Sequence, residues 1–220
     1  MSAVSSHPLP AEDKSDSESS EERHKDEDVE IAVTQAPGYL CHIRATAKFP
    51  LSPDTLFCQV ITHPNNEKLF RHMDRCAYRK ILEDDGKGHQ KVEASWRFLL
   101  FHGKFTTNLI VEQDMGKREM RFTLKPGAKG VMKKFVGCWQ IEPHPQDPNA
   151  CITHLDQDIA LGIYVPPPLD RILKGISCSQ VKRLFEDVKT EAHKINRGKP
   201  TLEPWDKVQL SEIGVDASSS

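Results

Sequence analysis

The residues of this 220-residue chain that could do chemistry are ten histidines, thirty-two Asp and Glu, and six cysteines. No H-E-x-x-H, G-x-S-x-G, P-loop or G-x-G-x-x-G pattern occurs among them. His42, His102 and His154 fall on or beside strand-like stretches, and His63 and His72 fall near short helical ones. Each reads as a structural histidine. Cys41, Cys58, Cys76, Cys138, Cys151 and Cys178 are dispersed, without a C-x-x-C pair. They read as reduced, buried thiols and not as a zinc site or a disulfide scaffold. Asp156 and Asp158 share the polar side of an alternating stretch, so they read as solvated charges. The expectation is no catalytic residue, no metal and no cofactor, and the reading leans away from an enzyme.

What remains is apolar and aromatic. "GVMKKFVGCWQIEPH", from Gly130 to His144, places Phe135, Gly137, Trp139 and Ile141 at every second position. Such alternation is the signature of a strand with one buried face. Trp96, Phe98 and Leu100 alternate in "VEASWRFLLF", Thr107 and Leu109 in "KFTTNLIVEQ", and Phe122 in "EMRFTL". Leu155 and Gln157 alternate in "ACITHLDQDIALGIYV". Ile172, Ile176 and Gln180 belong to a helical stretch. Leaving out Gly137 and Ile141, these thirteen residues could line an apolar pocket, with Thr107, Gln157 and Gln180 as its few polar groups. A solid core is the competing reading of the same residues. Gly137 suits a bent strand.

Two charged features stand apart. "LKPGAKGVMKK" sets Lys125, Lys129, Lys133 and Lys134 around one turn, a candidate contact for an anionic membrane surface. Ser15 and Ser19 each have a glutamate three residues on, a pattern resembling acidic-directed kinase sites.

These residues need elements to position them. "YLCHIRATAKF" reads as a first strand. "PLSPDTLFCQVIT" reads as a helix capped by Ser52, with Pro53 at its first position and Leu56, Phe57, Val60 and Ile61 as its stripe. "HPNNEKLFRHM" reads as a second short helix. Six strand signals divided by turns follow, the first ending at the hairpin signal "DDGKG". A long helix then carries Ile172, Leu173, Ile176, Val181, Leu184, Phe185, Val188, Ala192 and Ile195, and ends at Gly198-Lys199-Pro200. Consecutive strands with short turns make an antiparallel meander with one wet face, and the long helix is its natural cover. The predicted architecture is α+β: a curved antiparallel sheet of about seven strands around the C-terminal helix, with two short helices after the first strand.

The tails complete the organisation. Ala11 to Glu30 holds ten acidic and three basic residues, a net charge of −7, whereas the whole chain is −2, leaving +5 on the remainder. Residues 1–36 are expected to form a disordered acidic tail, 37–198 the domain, and 199–220 a loose tail pinned by Trp205 and Leu210. A chain from Ala36 to Gly198 is expected to fold unaided. Neither a signal peptide nor a membrane-spanning stretch is evident, so a soluble cytoplasmic or nuclear monomer is expected.

That order of elements resembles the START-like (SRPBCC, Bet v 1-like) superfamily, a helix-grip fold that includes polyketide cyclases and coenzyme Q-binding proteins. The resemblance covers roughly 39–197 and begins with "IRATAKFPLSPDTLFCQVITHPNNEKLF". "SWRFLLFHGKF", "MKKFVGCWQIEP" and "VPPPLDRILKGIS" look like a plant family of START-like proteins of unknown function. The resemblance implies a large apolar pocket beneath the long helix, occupied by a lipid or isoprenoid. It leaves two alternatives: a cyclase or dehydratase using the same pocket, and a protein-interaction module in which the pocket is vestigial. No nucleic-acid-binding module is recognisable.

Overall fold

A computed structural model describes residues 22–26, 29–35, 38–100, 103–128 and 130–204, with no side chain described at 24, 26, 98–100, 103–105, 167 and 168. The strands are β1 (Glu22–Asp26), β2 (Val29–Thr34), β3 (Cys41–Phe49), β4 (Met73–Asp84), β5 (His89–Leu100), β6 (Gly103–Asp114), β7 (Glu119–Leu124), β8 (Met132–His144) and β9 (Asp147–Leu161). They form one antiparallel sheet in the order β1-β2-β3-β9-β8-β7-β6-β5-β4. A short helix α1 (Pro53–Leu56) follows β3, and a 30-residue helix α2 (Pro167–Asn196) closes the fold.

The pleat sorts the side chains. In β3, Cys41, Ile43, Ala45, Ala47 and Phe49 are buried while the residues between them are not. In β8 and β9, Trp139 stands opposite Leu155, and Gly137 opposite Gln157. Trp139 is buried and Cys138 only half-buried, as strand alternation requires. Gly137 has a sharper reason to be glycine than strand bending. A Cβ there would meet the Phe122 ring and stand 2.7 Å from the Asp156 carbonyl oxygen. The space serves Phe122, whose ring packs 5.2 Å from that of Phe135.

The C-terminal half of α2 fills the concave face. Val181, Phe185, Val188 and Ala192 are buried at helical spacing. Phe185 stacks on Trp139 at 5.3 Å and meets Phe49 at 6.0 Å. Two carboxylates on the same helix are also buried, and each is fully engaged. Asp187 accepts from the Arg71 backbone N–H at 2.9 Å and from Arg71 Nε at 2.5 Å. Glu191 accepts from the Thr201 backbone N–H at 2.6 Å and from its hydroxyl at 2.5 Å. Gly198, at φ +68°, turns the chain out of the helix.

Four sequence expectations change. The sheet has nine strands, because "VEIAVT" pairs with β3 as β2 and buries Ile31 and Val33. The boundary at residue 36 followed the acidic composition and passed over this short alternation. Residues 199–204 are docked, since Thr201 bonds to Glu191 and His63 Nε2 donates to the Glu203 carbonyl at 3.0 Å. Trp205, Leu210 and the rest of 205–220 lie outside the described residues, as do Ser15, Ser19 and Lys129. The second short helix is one 3₁₀ turn, Asn66–Lys68, too short to repay helix nucleation. α1 forms as read, with Ser52 Oγ accepting from Thr55 N at 3.2 Å, but continues as a π-helical turn over Phe57–Ile61.

Candidate ligand cavity

The N-terminal half of α2 does not press onto the sheet. Between it and strands β6–β9 lies a cavity of about 610 Å³, within the range of small-molecule sites. Its walls come from alternating positions of the sheet, Leu124, Phe135, Ile159 and Leu161, and from Leu173, Ile176, Val181 and Leu184 of α2. Leu40, from the connection before β3, completes one side. No Asp, Glu, Lys or Arg lines it among the described residues.

Five of the thirteen sequence candidates stand on this wall: Thr107, Phe135, Gln157, Ile176 and Gln180. Leu109, Phe122, Trp139 and Leu155 are buried in the adjoining core and do not line it. Trp96 packs half-buried against that core. Ile172 is 55 % exposed and does not line the cavity, a correction to its place in the apolar stripe. The first turns of α2 present apolar residues both to solvent, at Leu169 and Ile172, and to the cavity, at Leu173 and Ile176. The side chains of Phe98 and Leu100 lie outside the described residues. Leu124 and Leu161 were legible by continuing the alternation of Phe122 and Ile159. His72 and Leu40 were not, because each enters from a connection without periodicity.

Polar groups on the wall are few. The Thr107 hydroxyl, on a residue 3 % exposed, and Gln180 Oε1 are buried without a hydrogen-bond partner among the described residues. Such an orphan costs about 1–3 kcal/mol. Ser177 is satisfied by the Leu173 carbonyl at 3.0 Å. His72 is the one ionisable side chain among the described lining residues. Burial pushes its imidazole down to about 4, against the pull of Asp187 and with the help of Arg183 and Arg71. Burial also raises the Cys41, Cys76 and Cys151 thiols to about 11, which keeps them protonated and poor nucleophiles at neutral pH.

The neutral state of His72 has a measurable consequence. An unfolded histidine titrates near 6.5, so below that pH the unfolded chain takes up a proton that the folded one refuses. Stability held above about pH 6.5 is lost as pH falls toward 4, at up to about 1.4 kcal/mol per unit. Burial depresses His63 in the same direction. Unfolding free energies are expected to fall by about 2 kcal/mol between about pH 7 and 5 through His72 alone, and His72→Gln to flatten that slope. An identical slope in parent and variant would refute this environment for His72.

The mouth of the cavity is apolar and exposed. Val131 and Ile163 line it and are exposed, and Tyr164, Leu169 and Ile172, close to Ile163 in the sequence, are exposed as well. The Gly162 N–H donates to the Val131 carbonyl at 2.7 Å, joining the β7–β8 hairpin to the β9–α2 connection. Gln35 donates to Asp170 at 3.0 Å, and Lys174 lies 3.5 Å from Asp170, so the segment after β2 is held against α2. The lysine cluster read from sequence narrows here. Lys125 is bonded to Glu93 at 2.5 Å, and Lys134 to Asp158 at 2.8 Å and Tyr39 at 3.0 Å. Lys133 is exposed. Among the described residues no helix is long and apolar enough to cross a membrane.

A family model described as "Domain of unknown function DUF220" matches residues 30–158. No curated protein matches the sequence. Solved structures match in fold. A STAR-related lipid transfer protein from Xanthomonas axonopodis is 10 % identical with a TM-score of 0.59, over 79 % of this chain and 98 % of that one. Human StAR-related lipid transfer protein 5 is 8 % identical with a TM-score of 0.58, over 80 % and 88 %. The Zhui aromatase/cyclase from Streptomyces sp. R1128 is 17 % identical with a TM-score of 0.57, over 71 % and 95 %. At these identities the likeness is one of fold: a curved antiparallel sheet gripping a C-terminal helix, as the START-like superfamily has it.

Proposed function

This chain belongs to the family described as Domain of unknown function DUF220, and from that premise we propose that it binds an apolar small molecule, a lipid or isoprenoid, in its interior and holds it away from water. The observation that carries the reading is the 610 Å³ cavity, walled by apolar side chains and free of Asp, Glu, Lys and Arg among the described residues. Transfer of about 300 Å² of ligand apolar area at ~25 cal/mol per Å² contributes about 7–8 kcal/mol before association costs. That is enough for micromolar-class binding without a catalytic group. Two lipid-transfer proteins among its structural likenesses favour sequestration or transport. The order of elements resembles a superfamily that includes coenzyme Q-binding proteins, which keeps an isoprenoid within that class. The exposed apolar mouth and Lys133 suit transient contact with an anionic membrane surface during loading, the lysine adding about 1 kcal/mol.

Filling the cavity tests the reading. Ile176→Trp places an indole where Ile176 now borders open space. The variant is expected to fold like the parent and to lose saturable, one-to-one binding of the neutral fluorophore N-phenyl-1-naphthylamine. Native mass spectrometry of the parent is expected to show a co-purifying lipid. An Ile176→Trp protein that binds the probe as well as the parent would refute the cavity as the binding site.

A cyclase-type enzyme is the second reading, favoured by His72 on the wall and by the likeness to an aromatase/cyclase. A neutral imidazole of depressed pKa can accept a proton from a bound substrate. His72→Gln that leaves ligand binding intact while abolishing ligand turnover would favour it.

A further inference from the structure

The proposed ligand-binding role fixes where a ligand sits; the unpaired polar atoms on the wall bear on what kind it is. Thr107 projects from β6 between apolar neighbours and is almost fully buried, yet its hydroxyl has no partner among the described residues. On folding grounds alone the isosteric valine would be the more stable choice. Gln180, on the middle of α2, lines the same cavity with its Oε1 buried and equally unpaired. Both groups are neutral dipoles. A carboxamide can accept a hydrogen bond through its oxygen and donate through its nitrogen, and a hydroxyl can do either. Neither can compensate a buried charge in an apolar pocket, which calls for a countercharge or several converging donors. The described wall supplies no such countercharge: His72 is uncharged at neutral pH, and among the described residues no lysine or arginine lines the cavity.

We propose, on the strength of the ligand-binding reading, that the occupant is a neutral amphiphile. Its apolar body carries a hydroxyl that hydrogen-bonds to Gln180 or Thr107, and long-chain carboxylates are rejected. At ~30 Å³ per water-sized volume, the cavity of about 610 Å³ takes on the order of 20 non-hydrogen atoms. A sixteen-carbon chain with one head group is of that size.

Three chain-matched competitors separate the terms: hexadecan-1-ol, methyl hexadecanoate and hexadecanoate. The full chain is loaded with N-phenyl-1-naphthylamine at about pH 8, where the acid is ionised. The alcohol is expected to displace the probe at concentrations at least about ten-fold lower than the carboxylate, and several-fold lower than the ester, which cannot donate. Gln180→Leu or Thr107→Val is expected to bring the alcohol to the level of the ester and to cost the ester, which can only accept, less than it costs the alcohol. Thr107→Val is also expected to raise the thermal midpoint of the ligand-free protein, since it removes an unpaired hydroxyl. Weaker alcohol binding by a more stable variant cannot come from misfolding. Equal displacement by alcohol and carboxylate, or an alcohol preference untouched by both substitutions, overturns this inference and leaves the ligand-binding role standing. If none of the competitors displaces the probe, or the probe does not bind, the ligand-binding role falls and this inference falls with it.

Discussion

Phe185→Ala is expected to lower the unfolding free energy by about 3–5 kcal/mol, the range for removing a fully buried aromatic ring from a packed core. Phe185 has no exposed surface. Its ring bridges the two parts of the structure that must meet, stacking on Trp139 of β8 and touching Phe49 of β3. Removing it opens space between helix and sheet that neither wall can close, because each is held on its own hydrogen-bond ladder. The loss also bears on the cavity. Val181 and Leu184, next to Phe185 on α2, line the cavity, so the helix that roofs the cavity is seated by this contact. Denaturant unfolding of parent and variant measures the effect. A loss below about 1 kcal/mol would show that α2 is held elsewhere, by its Asp187 and Glu191 bonds.

Removal of β1 and β2 is expected to cost as much. A chain beginning at Ala36 loses the burial of Ile31 and Val33, worth about 1.5–3 kcal/mol each. It also strips β3 of its six-residue pairing with β2. The freed edge of β3 is a template for pairing with other chains. Such a protein is expected to unfold at a much lower denaturant midpoint and to associate in size-exclusion chromatography. A chain beginning at Glu22 is expected to keep the midpoint of the full chain. If the two truncated chains prove equally stable, the sheet proper begins at β3.

The contrast between these two regions shows what composition hides. Phe185 was legible, because Val181, Phe185, Val188 and Ala192 repeat at helical spacing along one face. β2 is only six residues long and lies beside a run of acidic residues. A segment average therefore reads as tail, although Ile31 and Val33 alternate as a buried strand does. The same holds at the other end, where the tail read as loose is docked through Thr201 on the buried Glu191.

The meander and its faces are legible in the residue pattern. Period-two alternation in β5–β9 assigns Thr107, Phe135, Trp139 and Gln157 to one side, because a strand has only two sides. Helical periodicity likewise assigns α2 its buried stripe. Which of those inward residues touch one another and which face open space depends on the packed fold. Trp139 and Phe135 are four residues apart on one face of β8. Trp139 is sealed beneath Phe185, while Phe135 lines the cavity, because α2 sits closely on the sheet only along its C-terminal half. The sequence has no signal for that distance. It follows from helix length, sheet curvature and the loops that hold the first turns of α2, and these act together only once the chain has closed.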